Sequence, residues 1–303
     1  MTASGLSRPS VRPRLGLWPA GAVLLAFVVA GCASSSSGGP HLNWNFFFDS
    51  LLKPDDKIRF GLWLTVSISV ISQLLGVILG TLAALGKMAK LRPLRWIANF
   101  YIWFFRGTPL VVQIVLFYFG LSVAKIYAWP DISIAGITVA GKIQAGVFAL
   151  SINEGAYFAE IVRAGILSID PGQAEAGKAL GMRYGLIMRR IVLPQAARVI
   201  IPPLGNEFNN MLKTTSLLVL ISVPELYTIF NQKQGNFFAP FEFYLAAAVW
   251  YLLLTTIWSF IQAWIERKFA KGTGITAGPS LRERLFGGAR NPAEEVVLVS
   301  GGR

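Results

Sequence analysis

The 303-residue sequence holds one cysteine, Cys32, and one histidine, His41. A disulfide scaffold needs cysteine pairs and a Cys/His zinc cluster needs several ligands, so both are excluded and no metal is expected. No Ser/His/Asp set can be assembled, because His41 is the only histidine and lies in a polar linker. A phosphate-cradling G-x-x-x-x-G-K-[S/T] loop is also missing. From Gly80 to Gly86-Lys87 the spacing is one residue too long, and Met88 stands where the hydroxyl belongs. Catalysis and a resident cofactor are therefore not expected in this chain. Charge is scarce too: 14% of residues are charged, against about 25% in soluble domains.

What fills the space is apolar. Hydrophobic residues make up 54% of the chain and the mean hydropathy is +0.55, so lipid replaces water over much of the surface. The net charge of +13 would suit nucleic acid, but the basic residues sit in loops between apolar runs, which makes the bilayer the partner instead. About 20 apolar residues span a membrane. Five runs qualify: Phe60–Gly86, Trp96–Leu121, Ile143–Leu167, Val199–Val223 and Phe243–Ile265. A shorter run, Leu17–Gly31, precedes them. The expected fold class is an all-α polytopic membrane protein with five core transmembrane helices (residues 60–268) plus an N-terminal signal or anchor helix. No internal repeat or second folded domain is visible.

Lys and Arg mark cytoplasmic loops. Lys87, Lys90, Arg92 and Arg95 follow the first run; Lys178, Arg183, Arg189, Arg190 and Arg198 follow the third; Arg267, Lys268 and Lys271 follow the fifth. The loops at 122–142 and 224–242 are poor in basic residues. This alternation puts the 168–198 loop and the C-terminus inside and the 33–59 linker outside. Arg8, Arg12 and Arg14 ahead of Leu17–Gly31 read as a signal segment or an uncleaved anchor over residues 1–32. Val29-Ala30-Gly31-Cys32 resembles a bacterial lipoprotein signal, which makes Cys32 a candidate lipidation site. Residues 269–303, Gly-rich and mixed in charge, read as a disordered cytoplasmic tail.

The basic loop at about 168–195 carries a helix signal. Asp170 is an acidic N-cap, Pro171 suits the first helical position, and Gln173 completes a capping box. Gly181 supplies a left-handed stop. The 171–180 helix is about 15 Å long, too short to hold alone and weakened by Gly172 and Gly177, so something must pack on it. Ala174, Gly177 and Gly181 make a small-residue face open to close approach. Glu175, Lys178 and Met182 point elsewhere. Residues 182–193 give a second amphipathic piece, and Pro194 stops it. A docking element or a plain connector are the two readings.

Polar residues also sit inside the apolar runs. Asn206, Asn209, Asn210 and Lys213 fall at i, i+3, i+4 and i+7, with Lys213 on the order of 20 Å deep at about 1.5 Å per residue. Pro202 and Pro203 precede them and are expected to bend the helix. Asn153, Tyr157 and Glu160 form a second stripe, with Glu154 and Arg163 beside it. Such residues line a polar pathway or glue helices together. Arg106, Thr108 and Pro109 interrupt the second run, so that the helix kinks there or the span begins near Pro109.

Glu175, Ala176, Gly177, Gly181, Ile191, Leu193 and Pro194 together resemble the EAA loop of ABC importer permeases, with Gly177 where the family prefers Ala. Phe104 to Gln113 (FFRGTPLVVQ), Ala156 to Arg163 (AYFAEIVR), and Pro194-Gln195-Ala196-Ala197-Arg198 with Pro203, Asn206 and Lys213 to Leu217 are similar to segments of the polar amino acid subfamily. The resemblance covers roughly residues 57–268. It implies a type I ABC importer permease that moves a polar amino acid across the cytoplasmic membrane. It also implies two ATPase subunits that hold ATP and Mg and seat the coupling residues Glu175, Ala176, Gly177, Lys178, Gly181 and Arg183. A second permease copy or paralogue and an extracytoplasmic amino acid-binding protein would complete the assembly. An ion-coupled secondary transporter and a non-transporting anchor or scaffold are the rival classes. The first would want matched broken half-repeats, which are not found.

Overall fold

In the computed structural model of the protein, the structure describes residues 42–134 and 136–270. Leu17–Gly31, Cys32 and the tail from residue 271 lie outside the described residues. The element order is α1 (Trp44–Leu52), α2 (Asp56–Met88), α3 (Arg92–Gly107), α4 (Leu110–Val115), a π turn (Leu116–Gly120), α5 (Leu121–Val123), β1 (Ile132–Ile134), β2 (Ile137–Val139) and α6 (Gly141–Leu167). Then come α7 (Pro171–Ala179), α8 (Tyr184–Ile187), a second π turn (Met188–Val192), α9 (Leu193–Thr214), a 3-10 segment (Thr215–Ile221), α10 (Leu226–Phe237) and α11 (Pro240–Ala270). β1 and β2 form an antiparallel hairpin.

The centre is the pair α2 and α6. Their contacts rise together along both chains: a Cβ on Gly76 would meet Glu154, one on Gly80 would meet Phe158, and Lys87 pairs with Glu160. The helices are therefore parallel. Gly80 permits the approach, since a Cβ there would lie 2.3 Å from Phe158 Cβ and 2.7 Å from Gly155 O. Small residues bring membrane helices into backbone contact in this way. Leu64, Ile68, Leu150, Met211 and Leu218 pack beside them as one apolar core.

Among the described residues, Asp56–Met88 and Pro240–Phe269 are each long and apolar enough to cross a membrane. Two bent pairs reach that length together: Arg92–Gly107 with Leu110–Val123, bent by 105°, and Tyr184–Ile221 with Leu226–Phe237, bent by 50°. Gly141–Leu167 has the length, about 40 Å, but carries Lys142, Glu154, Glu160 and Arg163.

The interruption read at Arg106, Thr108 and Pro109 is a break: Thr108 is extended (φ −112°, ψ 144°) before Pro109, as the proline ring demands of its predecessor, and the two halves are bent by 105°. Other sequence expectations are corrected. Pro194 does not stop the helix; it sits in the first turn of α9, where no N–H is needed. The 224–242 loop is largely α10. Within the expected 33–59 linker, α1 packs its aromatic residues on α11: Phe46 stacks on Phe243 at 5.5 Å and Trp250 Nε1 donates to Ser50 O at 3.1 Å.

Candidate functional site

The 168–195 segment begins where α6 ends. Asp170 Oδ1 accepts from Gly172 N at 2.8 Å, Pro171 follows at the first position, and Gly181 closes the turn at φ +75°. The reciprocal half of the expected capping box, from the Gln173 side chain, is absent among the described residues. The larger correction concerns the small-residue face. Gly177 is buried against the chain's own Ile187 and Ile191, where a Cβ would lie 2.9 and 3.3 Å away. Ala174 and Met182 pack into the same cluster with Val192 and Ala196. The face that the sequence offers to an outside surface thus anchors α7 to α8 and the π turn. That contact supplies the support a nine-residue helix lacks by itself. What remains outward is Glu175, Ala176, Lys178, Leu180, Arg183 and Tyr184, all exposed, with Leu180 at 82% and Tyr184 at 69%. Two large side chains, Leu180 and Tyr184, thus stand uncovered amid charges on a loop packed from behind.

The polar membrane residues divide. Asn153 is buried and serves the helix break: its Nδ2 donates to Phe105 O at 3.2 Å and to Gln113 Oε1 at 3.0 Å. Gln113 in turn donates to Phe105 O, Thr108 O and Thr108 Oγ1 at 3.0, 3.1 and 2.7 Å. These two amides satisfy the carbonyls that the break at Pro109 leaves without helical donors. Glu160 is held by Lys87 at 2.5 Å and Arg163 at 2.9 Å; the local Arg163 pair was legible at i, i+3, the Lys87 pair was not. Glu154 is buried and its Oε1 has no partner among the described residues. Tyr157 is partly exposed and lies under Arg106, whose Cζ stands 5.2 Å from the ring centroid.

On α9, Asn206, Asn210 and Lys213 are exposed on one stripe. Asn206 Oδ1 accepts from Gln262 Nε2 of α11 at 3.0 Å. Asn209 turns inward and its Oδ1 has no partner among the described residues. The Lys213 ammonium has no hydrogen-bond or ion-pair partner there either, and with Ser216, Tyr227, Tyr244 and Tyr251 Lys213 lines a cavity of about 310 Å³. The helix runs on through Pro202 and Pro203. Side chains of neighbouring helices reach its carbonyls: Gln262 Nε2 to Pro202 O, Gln73 Nε2 to Leu204 O, and Trp258 Nε1 to Gly205 O at 2.8 Å.

In the sequence Glu225 is marked only as an acid of the 224–242 loop. It is fully buried and caps α10, accepting from Thr228 N at 2.7 Å, Thr228 Oγ1 at 2.8 Å, Tyr227 N at 3.0 Å and Tyr251 OH at 2.8 Å. No local pattern marks it, because two of its donors, Tyr251 and Thr65, come from other helices.

Comparison with known proteins bears on all of this. Residues 76–271 match the family described as binding-protein-dependent transport system inner membrane component. The chain is 38% identical over 266 residues to the arginine transport system permease protein ArgU of Corynebacterium glutamicum, covering 86% of this chain and 82% of that one. It is 37% identical over 224 residues to the arginine transport system permease protein ArtQ of Bacillus subtilis, covering 74% and 97%. Among solved structures, an amino acid ABC transporter crystallised with histidines superposes with a TM-score of 0.64 at 37% identity, covering 73% of this chain and 98% of that one.

Proposed function

Because the chain belongs to the family of binding-protein-dependent transport system inner membrane components, we propose that it is the permease subunit of an ABC importer that carries a polar amino acid across the cytoplasmic membrane. The observation that carries the mechanism is the outward surface of α7 and the turn after it. Glu175, Lys178, Leu180 and Arg183 face away from the protein while Gly177 is locked against Ile187 and Ile191. An ATPase subunit, holding ATP and Mg, grips that surface from the cytoplasm. Movement of α7 passes into the membrane along the continuous path of α8, the π turn and α9. α9 carries the exposed Asn206, Asn210 and Lys213, so the driven element and the polar stripe are one rod.

The remaining parts follow the same reading. α6 is the fifth crossing, its polar residues turned to protein or to the pathway; the basic loops lie inside and α1 lies outside. A second copy or a paralogue closes the pathway over the exposed α9 stripe, and an extracytoplasmic binding protein delivers the amino acid. Glu175, Ala176, Gly177, Lys178, Gly181 and Arg183 form the coupling set. Asn206, Asn210, Lys213 and Tyr157 remain pathway candidates, while Asn153 is assigned to structure.

The test is reconstitution of the chain with its ATPase and binding protein in proteoliposomes. ATP-dependent uptake of an amino acid, lost in Glu175→Arg with the complex still assembled in the membrane, supports the reading. Uptake driven by an ion gradient without ATP would overturn it.

A further inference from the structure

Arg106 closes α3 at the break, on the wall of a cleft of about 570 Å³ shared with Lys87, Asn99, Trp103, Tyr157 and Glu160. That volume lies within the roughly 300–1,000 Å³ of small-molecule sites. Three cations, Lys87, Arg106 and Arg163, surround one acid, Glu160, so three minus one leaves two positive charges. Glu160 is taken twice, by Lys87 and Arg163. The Arg106 guanidinium makes no hydrogen bond or ion pair among the described residues; its neighbour is the face of Tyr157.

Tyr157 stands ten residues before the end of α6 at Leu167, about 15 Å along the helix. A guanidinium in a cleft partly closed off from water is costly unless an anion or water meets it. The ring of Tyr157 meets part of the cost. The guanidinium edge, with five donors in a planar fork, stays open for a planar anion.

We propose that Arg106 receives the α-carboxylate of the transported amino acid, with Lys87 as the second cation of the cleft, an inference that rests on the transport reading above. A guanidinium and a carboxylate form paired, charge-assisted hydrogen bonds. Trp103, 69% exposed, and the ring of Tyr157 offer apolar walls to the substrate's side chain without selecting its charge. A lipid phosphate shares the anionic chemistry, and the lipid composition of the discs separates it from the substrate. The site thus reads what all amino acids have in common.

The experiment is direct binding to the permease–ATPase complex in nanodiscs without the binding protein, by scintillation proximity. The probes are L-arginine and L-glutamine, each set against its C-terminal amide, in discs with and without phosphatidylglycerol. The expected result is weaker binding of the acids to Arg106→Gln by roughly 10- to 100-fold, partial recovery in Arg106→Lys, and amide binding that the substitution leaves unchanged. Equal loss of acid and amide, no discrimination in the unaltered complex, no binding of either probe, or a defect that appears only with phosphatidylglycerol would each overturn it. If the complex drives no ATP-dependent amino acid uptake in proteoliposomes, it is the transport reading itself that fails.

Discussion

Asn153 illustrates how a polar residue within a membrane helix acquires its role. Its amide bridges Phe105 O, whose helical donor would be the missing N–H of Pro109, and the side-chain oxygen Gln113 Oε1. Asn153→Leu leaves Gln113 Oε1 buried without this donor, while Phe105 O keeps Gln113 Nε2, a loss of about 1–3 kcal/mol. The expected outcome is a lower thermal midpoint in detergent for the purified chain, with the KM for uptake unchanged in the folded fraction. A raised KM with unaltered stability would instead place Asn153 on the substrate route. Sequence spacing put Asn153, Tyr157 and Glu160 on one stripe correctly. It could not separate them, because the separation depends on partners up to 73 residues away, such as Lys87 for Glu160. Glu225 makes the same point more strongly: Thr228 and Tyr227 are local donors, but Tyr251 and Thr65 reach it from other helices.

At the scale of elements, long apolar runs with their own turn signals were legible, since helix formation there is local. α2, α6, α9 and α11 fall on the expected runs, and α7 ends where Gly181 requires. α1 and α10 were not legible. α1 (WNFFFDSLL) gains its stability from Phe243, Phe237 and Trp250 of other helices, and no sequence window contains those contacts. The α2–α6 contact makes a second prediction. Gly80→Ala puts a methyl within 2.3 Å of Phe158 Cβ, and overpacking of this kind costs about 1–3 kcal/mol. The expected result is reduced yield of folded protein and a lower melting midpoint, whereas Gly107→Ala, with open space around its Cβ, leaves both unchanged.

A third prediction concerns the tie between the start of α2 and α10. Burial works against the Asp55 carboxylate, but the ammonium of Lys233, 2.7 Å away, and the Ile58 N–H outweigh it and hold its pKa below the ordinary 3.8. A depressed carboxylate stabilises the fold above its unfolded pKa and loses that contribution as pH falls through the folded value. The Asp55–Lys233 tie therefore persists at neutral pH and weakens on acidification below 3.8. A melting-point series should show that low-pH loss in the unaltered chain and less of it in Lys233→Met.

For the whole molecule, the account joins one rigid cytoplasmic handle to one membrane rod. In the proposed reading the basic loops put α7 on the cytoplasmic side, and the packing of Gly177 against Ile187 and Ile191 ties α7 to α8 and the π turn. The Gly181 position, at φ +75°, admits a β-branched residue only with strain of about 1–3 kcal/mol. Gly181→Val is thus expected to lower ATP-coupled uptake while leaving the membrane helices assembled, as measured by uptake against protease protection. The most direct measurement uses a chain with Cys32→Ser and Glu175→Cys, labelled by a membrane-impermeant maleimide. The account predicts labelling only when the cytoplasmic face is exposed, and protection from it when the ATPase is bound. Labelling from the outer face, or labelling that the bound ATPase leaves untouched, would contradict it.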